Sequence, residues 1–453
     1  MAVLSLIIIV LSFFFGYFYP RKALWFVALT FPLLNPANVT IIPSEILFLN
    51  ISRISSVMIL AVHLKRGKRL RFDLLLKSKF IRIFLFFSVW VILISLGDRA
   101  KNLIFSYIPN LYISLTLGYF LIKEEKDYKV LIKILSCQAL LFSAVVFLDF
   151  FNIINLQLIV AQWSPNFSLD FVQINDIRAG LSRVAGWDGN SIYSATRLVV
   201  LFPIALLNWK LKKGLFRLII PVIIAGAILL LMSRAAYISF VVTLVFIIFW
   251  LSYLKKQFLT KVWSIVRYFI AASLLAVILY NSVPVVKTIV DEIYFFTFQT
   301  NDVTQRQDRL PRATKYIMEK PLLGHGSPYY SYMTVMDTDD IPTFYIYALT
   351  GGFPLLILLI IWWVYMPLYF VRYLKKRFIT KEQSNVIIYA STAFVGGLVP
   401  MLANWNQVSL VLMIIIFGAT YRYLMINNII QFPVRQHMKK EIAPTKISCQ
   451  INK

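Results

Sequence analysis

The chain of 453 residues is 59% apolar and has a mean hydropathy of +0.75, which excludes an ordinary soluble domain. Its net charge of +26 comes from short basic clusters between apolar runs, a pattern typical of membrane topology signals rather than of a nucleic-acid-binding surface. We therefore expect membrane lipid as a partner and no nucleic acid. The two cysteines, Cys137 and Cys449, predict neither a disulfide framework nor a metal site.

The apolar segments predict an all-α polytopic membrane protein with about 12–13 transmembrane helices, since a hydrocarbon layer of about 30 Å needs roughly 20 apolar residues per helix. They lack the alternation of a β-barrel. The first run has no basic region before it and no cleavage site, so we expect a retained span. The predicted regions are N-terminal transmembrane helices (1–151), a first long outer loop (152–189), central transmembrane helices (190–282), a second long outer loop (283–342), C-terminal transmembrane helices (343–425) and a cytoplasmic tail (426–453).

The basic clusters predict which face each loop occupies. They lie at 65–79, 123–129, 210–217, 255–267, 372–381 and in the tail after 422. Two predicted spans separate each cluster from the next, and an even number of spans returns the chain to the same face. All clusters therefore fit the cytoplasmic face. Both long loops then lie outside, where residues 282–340 carry six Lys/Arg against eight Asp/Glu.

The end of the first outer loop carries polar residues that run directly into a span. Asn190 or Asp188 is expected to cap that helix, because a short polar side chain accepts hydrogen bonds from the free N–H groups. A helix start also favours anions, and Arg178 and Arg183 lie just upstream. The alternative is a simple cap beside arginines at the membrane interface.

A short outer turn at Ser233–Arg234 joins two strongly apolar spans. An arginine there is costly unless it reaches the interface or meets a partner. One interpretation is that Arg234 extends to the interface, as long basic side chains do. The other is that it points into an outward cavity and binds phosphate.

The second outer loop carries arginines at every third position, Arg306, Arg309 and Arg312. Helical spacing would place them along one side, and planar guanidinium groups bind phosphate oxygens through paired donors. Ordinary solvated charge is the alternative. His325 follows in a Gly-x-Gly turn as a structural or catalytic residue, and Asp340 precedes a span as a cap, a base or an interfacial charge.

Three elements resemble the O-antigen polymerase/ligase superfamily, and together they cover about residues 180–365. Arg183-x-x-Gly186-x-x-x-Asn190 is similar to the R-x-x-G…N element of that family, and Met232-Ser-Arg234-Ala-Ala is similar to its S-R-G-A turn. The third element is similar to the "R…LW..A….I….P-L-x-G-x-G" stretch. Its matching residues are Arg306, Leu310, Ala313, Ile317, Pro321, Gly324 and Gly326.

The resemblance implies a metal-independent glycosyltransferase of the GT-C type without a cofactor. Its implied substrates are lipid-linked oligosaccharides on a polyprenyl diphosphate, at the outer (periplasmic) side of the bacterial plasma (inner) membrane. A chain-length regulator and a flippase are further expected partners. The residues expected to contact the diphosphate are Arg183, Arg234, Arg306 and Arg309. The expected catalytic residues are His325, Asp188 and Asp340. The expected motif residues with a structural role are Gly186, Asn190, Pro321, Gly324 and Gly326.

The region before the span that follows the second outer loop separates two activities within this superfamily. Ligases usually carry a histidine there, whereas this chain reads Asp340-Ile-Pro-Thr-Phe-Tyr-Ile-Tyr. We therefore predict a polymerase of polysaccharide repeat units. The alternatives are an O-antigen ligase and a polysaccharide flippase or transporter, and a transporter would show internal repeats.

Overall fold

The computed structural model places the apolar segments in α-helices. It describes residues 2–30, 40–42, 49–66, 82–83, 85–86, 89–90, 93, 108–154, 177–178, 181–182, 184, 186–188, 190–212, 214–254, 267, 274, 278, 280–282, 284, 287, 291, 311–325, 343–375, 379–403 and 407–430.

The continuous helices are labelled here in chain order. They are α1 (Ala2–Phe18), α2 (Pro20–Thr30), α3 (Ile51–Arg66), α4 (Ile108–Leu121), α5 (Glu125–Phe150), α6 (Ser191–Lys212), α7 (Leu215–Leu230), α8 (Arg234–Leu254), α9 (311–319), α10 (Thr343–Val371), α11 (Lys381–Ala403) and α12 (Gln407–Ile426). A 3-10 turn, Arg372–Lys375, follows α10.

Two short antiparallel hairpins interrupt the helical pattern. The first pairs β1 (Thr40–Ile42) with β2 (Leu49–Asn50), directly before α3. The second pairs β3 (Ile177–Arg178) with β4 (Leu181–Ser182) in the first long loop, with Arg178 opposite Leu181. Each strand has two or three residues, so the hairpins shape loops and build no sheet core.

Among the residues that the structure describes, four helices are long and apolar enough to cross a membrane, namely Glu125–Phe150, Ser191–Leu211, Arg234–Leu254 and Phe344–Lys375. The fold class is therefore an all-α polytopic membrane protein, as predicted. The predicted total of about 12–13 spans stays a prediction, because several of those segments lie partly or wholly outside the described residues.

Polar residues in the sequence determine where several helices begin and end. At the start of α11, Gln383 N–H donates to Thr380 Oγ1 and Thr380 N–H donates to Gln383 Oε1, a reciprocal capping box. At the start of α5, Asp127 Oδ2 accepts from the Glu124 N–H at 3.1 Å. After α5, Asn152 takes a left-handed conformation with φ of +55°, which short polar side chains tolerate.

The centre of the bundle is formed by α6, α11 and α12, whose side chains are mostly buried on all sides. Glycines allow close approach between neighbours: a Cβ at Gly118 of α4 would lie 2.3 Å from the Ile415 carbonyl oxygen of α12. Around this centre, α8 and α10 expose apolar stripes that include Val241, Val245 and Ile357. Such stripes are expected where helices face lipid.

The two ends of the bundle are distinct. At one end Lys129 pairs with Glu382 at 2.8 Å, and Arg422 Nε donates to the Ile122 carbonyl oxygen at 3.3 Å. We call this the basic end, defined by residues 121–129, 381–383 and 422–427. We call the opposite end the loop end. It is defined by residues 149–154, 186–194, 229–237 and 343–353.

This division agrees with the even spacing of the basic clusters along the sequence. The start of α5, the start of α11 and the end of α12 meet at the basic end, while α6 and α8 begin at the loop end. Since α10 is followed closely by α11, its first residue also lies at the loop end.

Candidate functional site

The segment 186–190 leads into α6 through a tight turn at the loop end. Gly186 has a φ of +68°, and a Cβ there would lie 2.8 Å from Ser194 Oγ, so glycine alone fits. Asn190 Oδ1 accepts a 2.8 Å hydrogen bond from the Ile192 N–H and caps the helix. Both residues belong to the motif described above, and both hold the start of α6.

A buried ion pair lies directly behind this turn. Arg197 Nη2 is 2.5 Å from Asp188 Oδ1, and the two side chains are 1% and 0% exposed. The guanidinium lies over the ring of Phe142, 4.7 Å from its centroid, and that ring contacts Trp187. The pair joins the loop, α5 and α6 into one rigid unit.

The sequence reasoning did not identify Arg197 as the partner of Asp188. The available signal was an arginine in the second turn of an otherwise apolar span, which requires a partner. The pairing gives Asp188 a structural role, because its side chain is enclosed and already holds a cation. Its predicted catalytic role stays a prediction.

The turn between α7 and α8 contains Arg234. Met232 has a φ of +47°, and the buried Ser233 places its Oγ 3.4 Å from the Ala236 N–H, so that it caps α8. Tyr237 donates its hydroxyl proton to the Leu229 carbonyl oxygen at 2.5 Å and braces the turn. Arg234, half-buried, is the first residue of α8.

The two segments lie side by side at the loop end. A Cβ on Gly186 would come within 3.3 Å of Leu231 Cδ2, three residues before Arg234. The Gly186 N–H also lies 3.3 Å from Asp149 Oδ2 at the end of α5. Motif residues that are about 45 positions apart in the sequence therefore occupy neighbouring positions in the fold.

The third segment, residues 311–325, packs along the first turns of α10. Ala313 and Ile317 of α9 are buried against Ala348 and Leu349 of α10. These two α9 residues are the apolar positions of the third motif. The motif therefore attaches the loop helix to the bundle, while Arg312 on α9 stays exposed.

Glycines on both sides make this attachment close. Gly324 has a φ of +67°, and a Cβ there would lie 2.5 Å from the Thr350 carbonyl carbon. Gly352 has a φ of +68° and breaks α10, and a Cβ there would lie 2.5 Å from the Pro321 carbonyl oxygen. The backbones touch directly, and the Phe353 N–H donates to the Pro321 carbonyl oxygen at 2.7 Å.

The sequence reasoning identified Pro321 and Gly324 but missed their partner, the Gly351–Gly352 break. The signal was two consecutive glycines in an apolar span shortly before Pro354. The break frees backbone carbonyls from the helical pattern. One of them, on Gly351, accepts a 3.1 Å hydrogen bond from Trp90 Nε1–H.

His325 ends the third segment in a defined orientation. The backbone N–H of His325 donates to the Leu349 carbonyl oxygen at 2.6 Å, and the ring atom Nε2 lies 2.7 Å from the Tyr316 carbonyl oxygen. A carbonyl oxygen only accepts, so Nε2 carries the proton and, in the neutral ring, Nδ1 carries the lone pair. A role for His325 as a base would therefore use Nδ1.

Several predicted site residues lie outside the described part of the chain. They are Arg183, Arg306, Arg309, Gly326 and Asp340. Their predicted roles stay predictions. Gly186, Asn190 and Arg234 belong to the loop end, and Pro321, Gly324 and His325 belong to the 311–325 segment that packs against the α10 part of that end.

The chemistry available at the loop end is that of anion binding. The starts of α6 and α8 lie close together there, and the N-terminus of a helix has a partial positive charge. Arg234 adds a full positive charge at the first position of α8. An anionic group bound there would be stabilised by both.

The fold and these three segments define a polytopic α-helical membrane protein with an elaborated loop end. Residues 219–360 match the family model for O-antigen ligase, so this part of the chain is similar to that family. The matched region runs from within α7 to past the middle of α10, so it contains Arg234 and the whole 311–325 segment. A search of curated proteins finds no match.

The family match confirms the resemblance noted in the sequence. It indicates a glycosyltransferase-like membrane enzyme, of ligase or polymerase type, and implies lipid-linked oligosaccharide substrates. Both glycine contacts between the 311–325 segment and α10 fall inside the matched region.

Proposed function

We propose that this protein is a polymerase of polyprenyl-diphosphate-linked oligosaccharide repeat units, serving O-antigen, capsule or exopolysaccharide synthesis. In the reaction, a hydroxyl oxygen of the incoming lipid-linked unit attacks the anomeric carbon of the growing chain. The bond from that carbon to the diphosphate oxygen breaks, and its electron pair leaves with the polyprenyl diphosphate. The hydroxyl proton passes to a base.

The observation that carries this proposal is the placement of the three motif segments at the loop end. The leaving diphosphate gains negative charge in the transition state, and cations held in advance at that position lower the barrier. Arg234 begins α8, three residues after Leu231, the neighbour of Gly186, and this location supports its proposed role. Arg183, Arg306 and Arg309 are proposed to complete the set around the diphosphate.

The proposed base is His325, acting through Nδ1, with Asp340 as the other candidate. His325 is anchored by two hydrogen bonds to α9 and α10, which would fix the direction of its lone pair. Asp188 is assigned a positioning role, because its ion pair with Arg197 holds the turn that presents Gly186 and Asn190.

An O-antigen ligase is the second candidate, and the description of the matching family favours it. The polymerase is preferred because the residues from Asp340 to Tyr347 lack the histidine that ligases carry before this span. The two activities differ in the acceptor: a polymerase extends a lipid-linked repeat unit, whereas a ligase transfers the chain once to a different lipid or protein.

The proposed location is the bacterial plasma (inner) membrane, with the loop end on the outer, periplasmic side. The basic end supports this orientation, because Lys and Arg concentrate on the cytoplasmic side of membrane proteins. Proposed partners are a flippase that supplies lipid-linked units and a chain-length regulator.

Reconstitution tests the proposal. We expect purified protein in vesicles, given one lipid-linked oligosaccharide, to make a ladder of chain lengths without added metal. Arg306→Ala and Arg234→Ala should each abolish the ladder. Lys126→Ala, at the exposed surface of the basic end, serves as the matched control and should leave it unchanged.

Two outcomes would contradict the proposal. If the ladder persisted in both arginine variants, Arg234 and Arg306 would not be the residues that bind the diphosphate. A single transfer to a separate lipid acceptor, with no ladder from repeat units alone, would establish the ligase instead.

A further inference from the structure

The 311–325 segment exposes apolar side chains on the face turned away from the bundle. Met318, Leu322 and Leu323 are 64%, 68% and 64% exposed, whereas Ala313 and Ile317 on the opposite face are 4% and 5% exposed. Three apolar side chains of this size exposed to water would be unfavourable, because removing apolar surface from water lowers the free energy. Something apolar is therefore expected to cover them.

The position of this segment along α10 indicates what that covering is. The Pro321 turn lies at the level of Phe353, to which it is hydrogen-bonded. From Gly352 to Arg372 there are roughly 20 residues, or about 30 Å of helix, which equals the thickness of a bilayer hydrocarbon core. With Arg372 at one boundary of the hydrocarbon, the Pro321 turn lies at the other.

The exposed surface of α10 continues into the same patch. On the C-terminal side of the Gly351–Gly352 break, α10 exposes a stripe of apolar side chains that suits contact with lipid. Its members are Phe353, Ile357, Ile360, Ile361, Val364 and Leu368. Leu322 and Leu323 follow the turn that is bonded to Phe353, so they extend this stripe at its outer end.

Basic residues accompany the apolar ones. Arg312, Lys315 and Lys320 are exposed, against one exposed acidic residue, Glu319. Arg312 and Lys315 are three positions apart on α9 and so share one side of it. Cations beside a row of apolar side chains match the phosphate layer above the acyl chains of a bilayer.

We infer that residues 311–325 form an interfacial helix and turn that rest in the outer leaflet. Met318, Leu322 and Leu323 insert among the acyl chains, while Arg312, Lys315 and Lys320 lie at the lipid phosphates. The glycine contact between Gly324 and Gly352 fixes the segment to α10 at this depth. The assignment to the outer leaflet rests on the proposed orientation of the loop end, whereas the contact with bilayer lipid does not depend on the proposed glycosyl transfer.

Fluorescence quenching measures the depth directly. The full chain, with Cys137→Ser and Cys449→Ser, would carry an environment-sensitive dye on Leu322→Cys in vesicles containing phosphatidylglycerol. Nitroxides on the acyl chains of the lipid should quench this dye several-fold more than aqueous iodide does. Leu323→Cys provides a second site should the first variant fold poorly.

Matched sites calibrate the result. Ile357→Cys, in the lipid-facing stripe, should show strong quenching by lipid, and Lys126→Cys, at the exposed basic end, should be quenched by iodide alone. A dye on Leu322→Cys that behaves like the one on Lys126→Cys would overturn the inference. So would a dye protected from both quenchers, since another part of the protein would then cover the patch.

Discussion

At the basic end, charged side chains pair near the surface, whereas at the loop end the pair between Asp188 and Arg197 is fully enclosed. Lys129 and Glu382, which bridge α5 and α11, are both more than one-third exposed. Water and salt screen such surface pairs, so they contribute little to stability. The enclosed pair has no access to water, so each partner depends on the other.

The contacts between helices are also more rigid at the loop end than at the basic end. At the basic end, Arg422 and Gln383 connect helices through long side chains that can adjust. At the loop end, Gly324 and Gly352 bring two backbones into direct contact with no side chain between them. We conclude that the contacts at the loop end hold the backbone in one fixed geometry. The side-chain contacts at the basic end can adjust, and its charged residues mainly set the orientation in the membrane. Substitutions should therefore have unequal effects at the two ends.

The largest effect is expected at the buried pair. Arg197→Met should lower the free energy of unfolding by about 3–5 kcal/mol, because the enclosed Asp188 would lose its ion pair with Arg197. Asp188→Leu alone should cost a similar amount. Unfolding titrations of purified protein in detergent provide the measurement.

The double variant Asp188→Leu/Arg197→Met sharpens this test. Two apolar side chains replace the pair, so the double variant should be more stable than either single one. Strictly additive losses would show that the two residues are not coupled.

The next effect is expected at the glycine contact. Gly324→Ala should lower the free energy of unfolding by about 2–4 kcal/mol, because alanine tolerates neither the positive φ nor the 2.5 Å approach to Thr350. Gly226→Ala in α7 is the matched control, since its Cβ would meet only Phe147 Cζ, at 3.3 Å. If both variants lowered the free energy of unfolding equally, the contact between Gly324 and Thr350 would have no special role in stability.

A smaller effect is expected at the break in α10. Trp90→Phe removes the hydrogen bond to the Gly351 carbonyl oxygen while keeping an aromatic ring. The loss should be about 0.5–1.5 kcal/mol, the net worth of one hydrogen bond. Hydrogen exchange at residues 350–355 should rise in this variant, and unchanged exchange there would show that the bond does not stabilise the break.

The smallest effect is expected at the basic end. Lys129→Ala removes two surface ion pairs, with Glu125 and Glu382, and should change the free energy of unfolding by about 1 kcal/mol or less. A loss as large as that of Arg197→Met would contradict the contrast between the two ends.

The sequence was sufficient to predict the features set by local patterns. Apolar runs of about 20 residues predict spans, and a short polar residue ahead of a span predicts the cap that Asn190 forms. The basic clusters predicted which helix termini share an end. Each of these inferences needs only neighbouring residues and a known thickness of membrane.

Contacts between distant residues could not be predicted in this way. Nothing in the sequence specifies that Arg197 reaches back to Asp188, or that Gly324 meets Gly352, because both depend on how separate segments cross in space. Arg197 and the Gly351–Gly352 pair were nevertheless visible as local exceptions: a charge and a helix break inside apolar spans. Such exceptions indicate a partner without naming it.

The most direct test of the central claim is an experimental structure of the protein with polyprenyl diphosphate bound. We expect the diphosphate to lie at the loop end, against Arg234 at the start of α8 and beside the 186–190 turn, with Arg183 and Arg306 completing the contacts. A diphosphate bound at the basic end, or at the loop end with Arg234 turned away from it, would show that the loop end is not the diphosphate site.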